Sequence, residues 1–235
     1  MNPYNIPTPP WISASTADSE YRTRTFIRSV YAWMAGGLVL TALAAFWVIT
    51  SPFMQALVLG NRIAMIGLIV VELGIVVFMS IKQRTISAGA ASAAFLVYSF
   101  LNGLTLSVIA FVYTRSSITL AFGISAGMYG AMALYGLVTK RDLTSWGSFF
   151  AMGLFGVVIL MFAGIFIHAT ALQMTIATLG IFVFLGLTAY DNQKLKQLAV
   201  SNPRDSVAIF GALMLYLDFI NLFLFVLRLF GDRRR

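Results

Sequence analysis

Residues 206–230 read SVAIFGALMLYLDFINLFLFVLRLF, an apolar run carrying only two charges, Asp218 and Arg228. A helix needs about 20 mostly apolar residues to cross a hydrocarbon core of roughly 30 Å. This stretch therefore predicts a transmembrane helix. Working back along the chain, six more runs meet the same test: Phe26–Thr50, Ile63–Ile81, Ile86–Tyr113, Ile118–Thr139, Thr144–His168 and Ala171–Leu195. The loops between them are short, so neighbouring helices are expected to pack antiparallel. Barrel strands would alternate apolar and polar residues over about 10 positions, and these runs do not.

Composition agrees. Of 235 residues, 60% are hydrophobic and 10% charged, where soluble domains have about 45–50% and 25%. A water-soluble globule would lack the polar surface to cover itself. The sequence reads as an all-α integral membrane protein of seven transmembrane helices. A polar, Pro-rich tail occupies residues 1–24, and one transmembrane domain occupies residues 25–235. The tail has no apolar core before a cleavage site and so does not read as a signal peptide. With no cysteine there is no thiolate metal site or cysteine nucleophile. The single histidine, His168, excludes His-rich zinc or haem constellations and reads as a solvated loop residue at a membrane edge.

The net charge of +8 has a simpler source than a nucleic-acid partner, because Lys and Arg collect in cytoplasmic loops. With the N-terminus inside, the inner side holds Arg22, Arg24, Arg28, Lys82, Arg84, Lys140, Arg141, Lys194, Lys196 and Arg204. The outer side holds Arg62, Arg115 and Arg233–Arg235. Ten against five favours a cytoplasmic N-terminus. The terminal arginines either lie outside, or a re-entrant last segment returns them to the cytoplasm. In the fourth run, Gly123 and Gly127 form a small-xxx-small pair expected to admit a neighbouring helix.

Charges inside apolar runs are costly, about 2.5–3.5 kcal/mol at the bilayer centre on insertion scales, and they mark pathways, proton relays or structural pairs. Here they are Glu72, Asp191, Asp218 and Arg228. Asp191 lies 12 residues before Pro203, at the turn between the last two runs, and Asp218 lies 15 after it. At 1.5 Å per residue the two differ in depth by about 5 Å. Two carboxylates held together in a low-dielectric site would share a proton over some pH range. Equal depth does not fix which way the side chains face, so pairing and separate placement both stand. Asn221 falls one turn beyond Asp218 on the same face. Arg228 reads as snorkelling to the nearby surface, Lys82 and Arg84 as interface anchors that can also reach inward, and Glu72 as needing a partner or a proton.

The run Leu185-Gly186-Leu187-Thr188-Ala189-Tyr190-Asp191 with the following Asn-Gln-Lys-Leu-Lys resembles the sixth span of the Bax inhibitor (transmembrane Bax inhibitor motif) family. The stretch Leu215–Phe223 ending at Arg228-Leu-Phe-Gly231 is similar to that family's C-terminal signature. Gly103–Leu106 and Thr139–Leu143 match as well. The resemblance runs from about Arg24 to the end and is nearest the bacterial inner-membrane branch. It implies a last helix wrapped by the other six, and a pH-sensitive calcium leak in which the aspartates, here Asp191 and Asp218, share protons and hold the cytoplasmic mouth shut. A basic residue ending span two would latch onto one of them. Gln83 stands where spacing from Glu72 puts that residue, so Arg84, after a small insertion, and Lys82 are the candidates. Calcium takes 6–8 oxygens. Asp191, Asp218, Asn221, carbonyls and water would make only a weak site, which suits conduction. No tightly bound cofactor is implied, and calcium and protons are the expected cargo.

Two intramembrane aspartates also describe presenilin-type proteases, but Leu215-Tyr216-Leu217-Asp218 departs from their Gly-x-Gly-Asp motif and no Pro-Ala-Leu loop is present. A rhomboid-like dyad lacks a membrane-embedded histidine, and a retinal protein lacks a mid-span lysine in the last helix. The sequence does not read as an enzyme. The rival reading is a membrane-embedded regulator that binds a membrane protease or stress-response complex without conducting ions, as some bacterial relatives are associated with. The aspartates would then be structural glue.

Overall fold

The computed structural model describes residues 10–167, 169–202 and 204–234, with side chains described from residue 20 onward except at 165. His168 and Pro203 lie outside the described residues, as does the start of the expected tail. Among the described residues the chain is helical throughout: α1 (Pro10–Thr50), α2 (Pro52–Val58), α3 (Arg62–Lys82), α4 (Ala88–Leu106), α5 (Ile109–Val112), α6 (Arg115–Val138), a 3₁₀ turn (Thr144–Trp146), α7 (Gly147–Phe166), α8 (Thr170–Ser201) and α9 (Asp205–Phe230). Residues 10–24, expected as tail, continue the first helix. Seven segments are long and apolar enough to cross a membrane, with α4 and α5 together making the third.

Several helices start where a polar side chain can take up free amides at their N-termini. Ser51 accepts from the Met54 amide, Asn61 from Ile63 and Ala64, Ser87 from Ala90, and Thr114 from Ser117. The third span is not the single helix its apolar run predicts. It breaks after Leu106, where Ser107 Oγ donates to the Leu104 carbonyl at 2.6 Å. Hydroxyls bonding back onto the main chain compete with the helical ladder. Such a break is tolerated at membrane depth only where protein surrounds it, and Ser107 is buried.

α9 is the most enclosed element: 72% of its apolar window is buried, against 11% for α3 and for the α7 segment. It packs mainly against α1, α4, α6 and α8, while α3 lies on α4 and α7 on α8. The expected ring of six around the last helix is therefore drawn chiefly by four, with two helices outside it. α9 is one unbroken helix, so no re-entrant turn brings the C-terminus back. Instead the tail is stitched to the α5–α6 loop: the Thr114 amide donates to the Asp232 carbonyl at 3.1 Å, and the Arg234 amide to the Val112 carbonyl at 2.9 Å. At the opposite end, Arg24 and Arg28 of α1 share a recess with Leu137 of α6 and Lys196 of α8.

Close helix approach is also placed differently from the sequence expectation. Gly123 and Gly127 are exposed, with nothing near where a Cβ would lie. The contact falls instead at Gly136, whose Cβ would collide with the Ala189 carbonyl of α8, and at Gly103, whose Cβ would meet the Thr41 carbonyl of α1.

Candidate functional site

Asp191 on α8 and Asp218 on α9 are both buried, and their carboxyl groups lie within hydrogen-bonding reach of each other. Of the two facings that sequence left open, the structure has the paired one. Ionised carboxylates only accept hydrogen bonds, so a bond between the two needs a proton. Among the described residues, Asp218 Oδ2 has no hydrogen-bond partner, an unsatisfied acceptor inside the bundle.

Three elements complete the surroundings. Asn192, next to Asp191, accepts from the Tyr31 hydroxyl of α1 and donates to the Thr188 carbonyl at 2.7 Å. Tyr129 of α6 is buried, its hydroxyl donating to Met34 Sδ at 3.6 Å and its ring edge-on to Phe219, the residue after Asp218, at 5.5 Å. Lys194, one turn beyond Asp191, supplies the nearby positive charge and sits 5.8 Å over the Tyr190 ring. Gln193 ties down the adjoining loop, donating to the Arg141 carbonyl and accepting from the Leu143 amide, both at 2.7 Å.

The expected latch is not made. Lys82 and Arg84 are exposed, and among the described residues neither forms an ion pair with an aspartate. Both lie at the end of α3, which packs on α4 rather than on α8 or α9. Asn221 turns away too: its amide donates to the Leu217 carbonyl of its own helix at 2.8 Å. Arg228 is exposed, as snorkelling predicts.

Glu72 belongs to a second network. Its carboxylate accepts from Asn102 Nδ2 at 3.1 Å and from Thr105 Oγ1 at 3.0 Å. Asn102 Oδ1 accepts from the Tyr216 hydroxyl at 2.9 Å, and that hydroxyl meets Thr41 Oγ1 at 2.6 Å. The chain of bonds joins α3, α4, α9 and α1. Tyr216 and Asp218 are two residues apart on α9, about 200° around the helix, so α9 presents one network on each side. Sequence picked out Glu72 but none of its partners. Among the described residues no three His, Cys, Asp or Glu side chains converge on one point. The aspartate pair thus offers a cation two carboxyl groups, with carbonyls and water left to supply the rest.

The family model described as "Inhibitor of apoptosis-promoting Bax1" matches residues 23–235. The chain belongs to the Bax inhibitor family. Among its relatives, the inner membrane protein YbhL of Escherichia coli is 45% identical over 217 residues, covering 90% of this chain and 93% of the relative. An uncharacterised Deinococcus radiodurans protein is 39% identical over 216 residues, 90% of this chain and 92% of its own. A Caulobacter vibrioides protein, also uncharacterised, is 35% identical across the full length of both. None of these names describes an enzyme. For a Bax inhibitor protein, the matched region spans both networks and leaves out only the first residues of α1 and those before it.

Proposed function

We propose that this Bax inhibitor protein is a multi-pass inner-membrane protein that lets calcium leak across the membrane under the control of pH, with Asp191 and Asp218 as the proton-holding gate. The observation that carries the reading is the buried contact between the two carboxyl groups. With one shared proton they attract and bind α8 to α9. With none, two negative charges face each other in a poorly solvated site and repel. Proton number thus biases how α8 and α9 pack, which is how a local charge change drives a two-state element. Beside the pair, Tyr31 of α1 donates to Asn192, the residue after Asp191, and Tyr129 of α6 packs on Phe219, the residue after Asp218. A pair of carboxyl groups with few other charged ligands holds calcium weakly, and an ion held weakly can leave. The N-terminus and the Arg24, Arg28 and Lys196 end face the cytoplasm on this reading, following the positive-inside rule.

The test is calcium flux into proteoliposomes stepped from about pH 5 to pH 8, values that bracket the titration range of perturbed carboxyl groups. Native protein is expected to show flux that follows pH. Asp191→Asn and Asp218→Asn should keep the fold and lose that dependence, since an amide does not titrate. Flux no greater than in empty liposomes, from folded protein, overturns the leak and leaves the regulator reading.

A further inference from the structure

An apolar groove of about 670 Å³ opens between α1, α5 and α6, with α9 as its floor. Its volume lies within the range of about 300–1,000 Å³ typical of small-molecule sites. Phe46 and Phe122 on its lips are 62% and 49% exposed, so it opens sideways, toward hydrocarbon in a membrane. Phe219 forms part of the floor. The wall is mostly apolar, with Thr41, Ser107 and Thr119 as its neutral polar residues; Arg115 and Arg234 also line it and no acidic residue does.

The two arginines are not there by loose chance of a flexible tail. The Arg234 amide is bonded to the Val112 carbonyl, and the Asp232 amide donates to Ser117 Oγ at 2.9 Å. These bonds hold the tail against the first turn of α6, where Arg115 is the first residue. The main chain that carries two arginines is thus held at one end of an apolar slot, beside a helix N-terminus that itself favours anions. They lie on the side with fewer basic residues, where those present are arginines and not lysines. Like charges gathered around one site call for an opposite charge between them.

We propose that this groove binds an anionic phospholipid from the leaflet on the C-terminal side, one acyl chain lying against Phe46, Phe122 and Phe219 and the phosphate held between Arg115 and Arg234. The hydrocarbon opening selects a lipid over a soluble anion, and the arginine pair selects an anionic headgroup over a zwitterionic one.

The test is lipid retention by the full-length protein in mild detergent, read by native mass spectrometry. Phosphatidylglycerol and phosphatidylcholine with identical chains are the probes. Wild type should retain phosphatidylglycerol preferentially, by about fivefold for each arginine engaged. Arg115→Gln with Arg234→Gln should abolish the preference. Both residues are exposed, so the fold should survive, as circular dichroism would verify. Ala42→Phe, filling the groove wall, should reduce retention of both lipids, whereas Arg204→Gln at the other end should change nothing. Equal retention of the two lipids by wild type would overturn the proposal, as would a preference that survives the double arginine change. Displacement of phosphatidylglycerol by excess inorganic phosphate alone would assign the arginines to a soluble anion. A lipid-free dimer would assign the groove to a second copy.

Discussion

Asn102 is the single side chain that joins Glu72 to Tyr216, donating to one and accepting from the other. Replacing it with leucine leaves a buried carboxylate short of one donor and a buried hydroxyl short of one acceptor. Orphaned groups of this kind cost about 1–3 kcal/mol each, more when charged. Asn102→Leu should therefore lower the thermal midpoint clearly, and adding Glu72→Gln should recover part of the loss. A double variant whose loss equals the sum of the two singles would refute that coupling. Outside the membrane, Asp142 takes hydrogen bonds from the side chain and the backbone amide of Thr144, the latter at 2.8 Å, and these hold its carboxyl below the usual range. A depressed value means the contribution is complete above the unfolded value of 3.8 and fades as pH falls through the lower, folded one. Amide exchange at Thr144, corrected for intrinsic rates, should show protection near neutrality that disappears in strong acid; constant protection would contradict this. Asp191 and Asp218 were readable in the sequence because a charge inside an apolar run is rare. Asn102, Thr105 and Tyr216 were not, since neutral polar residues are common in spans and spacing alone does not tell which neighbour they meet.

Helix contacts follow the same logic at larger scale. The small-xxx-small spacing of Gly123 and Gly127 fits any face of α6, and the face it occupies is open. Gly136 is the position where α6 touches α8, though nothing distinguishes it in sequence from the other glycines. Gly136→Val should force α6 off the Ala189 carbonyl and destabilise the protein by about 1–3 kcal/mol, the usual cost of overpacking. Gly127→Ala should be neutral or stabilising by up to about 1 kcal/mol, because helical glycine is unfavourable and its surroundings are empty. Thermal unfolding of the two variants side by side distinguishes them, and equal effects would refute the assigned interface. The span boundaries were readable from hydropathy to within a few residues. The break after Leu106 was not, because hydrophobicity continues through it while the hydroxyl of Ser107 bonds back onto the main chain. The latch failed as an expectation for a related reason: residue spacing locates the end of α3, and packing on α4 decides that it stays away from the aspartates.

Across the whole molecule, the unbroken α9 and the tail bonded to the α5–α6 loop put the two termini at opposite ends. The chain has no cysteine, so single substitutions give clean probes of this. A membrane-impermeant maleimide should label Asn61→Cys and Ser116→Cys from one face, and Ser87→Cys and Ser201→Cys from the other. Labelling of Ser116→Cys and Ser201→Cys from the same face would contradict the topology. The enclosure of α9 also has a consequence for how the protein is made. The helix around which α1, α4, α6 and α8 gather is made after the other six spans. Until it arrives, Glu72 lacks the far end of its network, Asp191 has no partner, and four helices already in the bilayer have no common neighbour. Earlier spans can insert one by one, but the bundle closes only once α9 has been made. The nascent chain is therefore exposed to membrane quality control for longest at the stage just before Asp218 enters, and a ribosome that stops short yields inserted helices without a core.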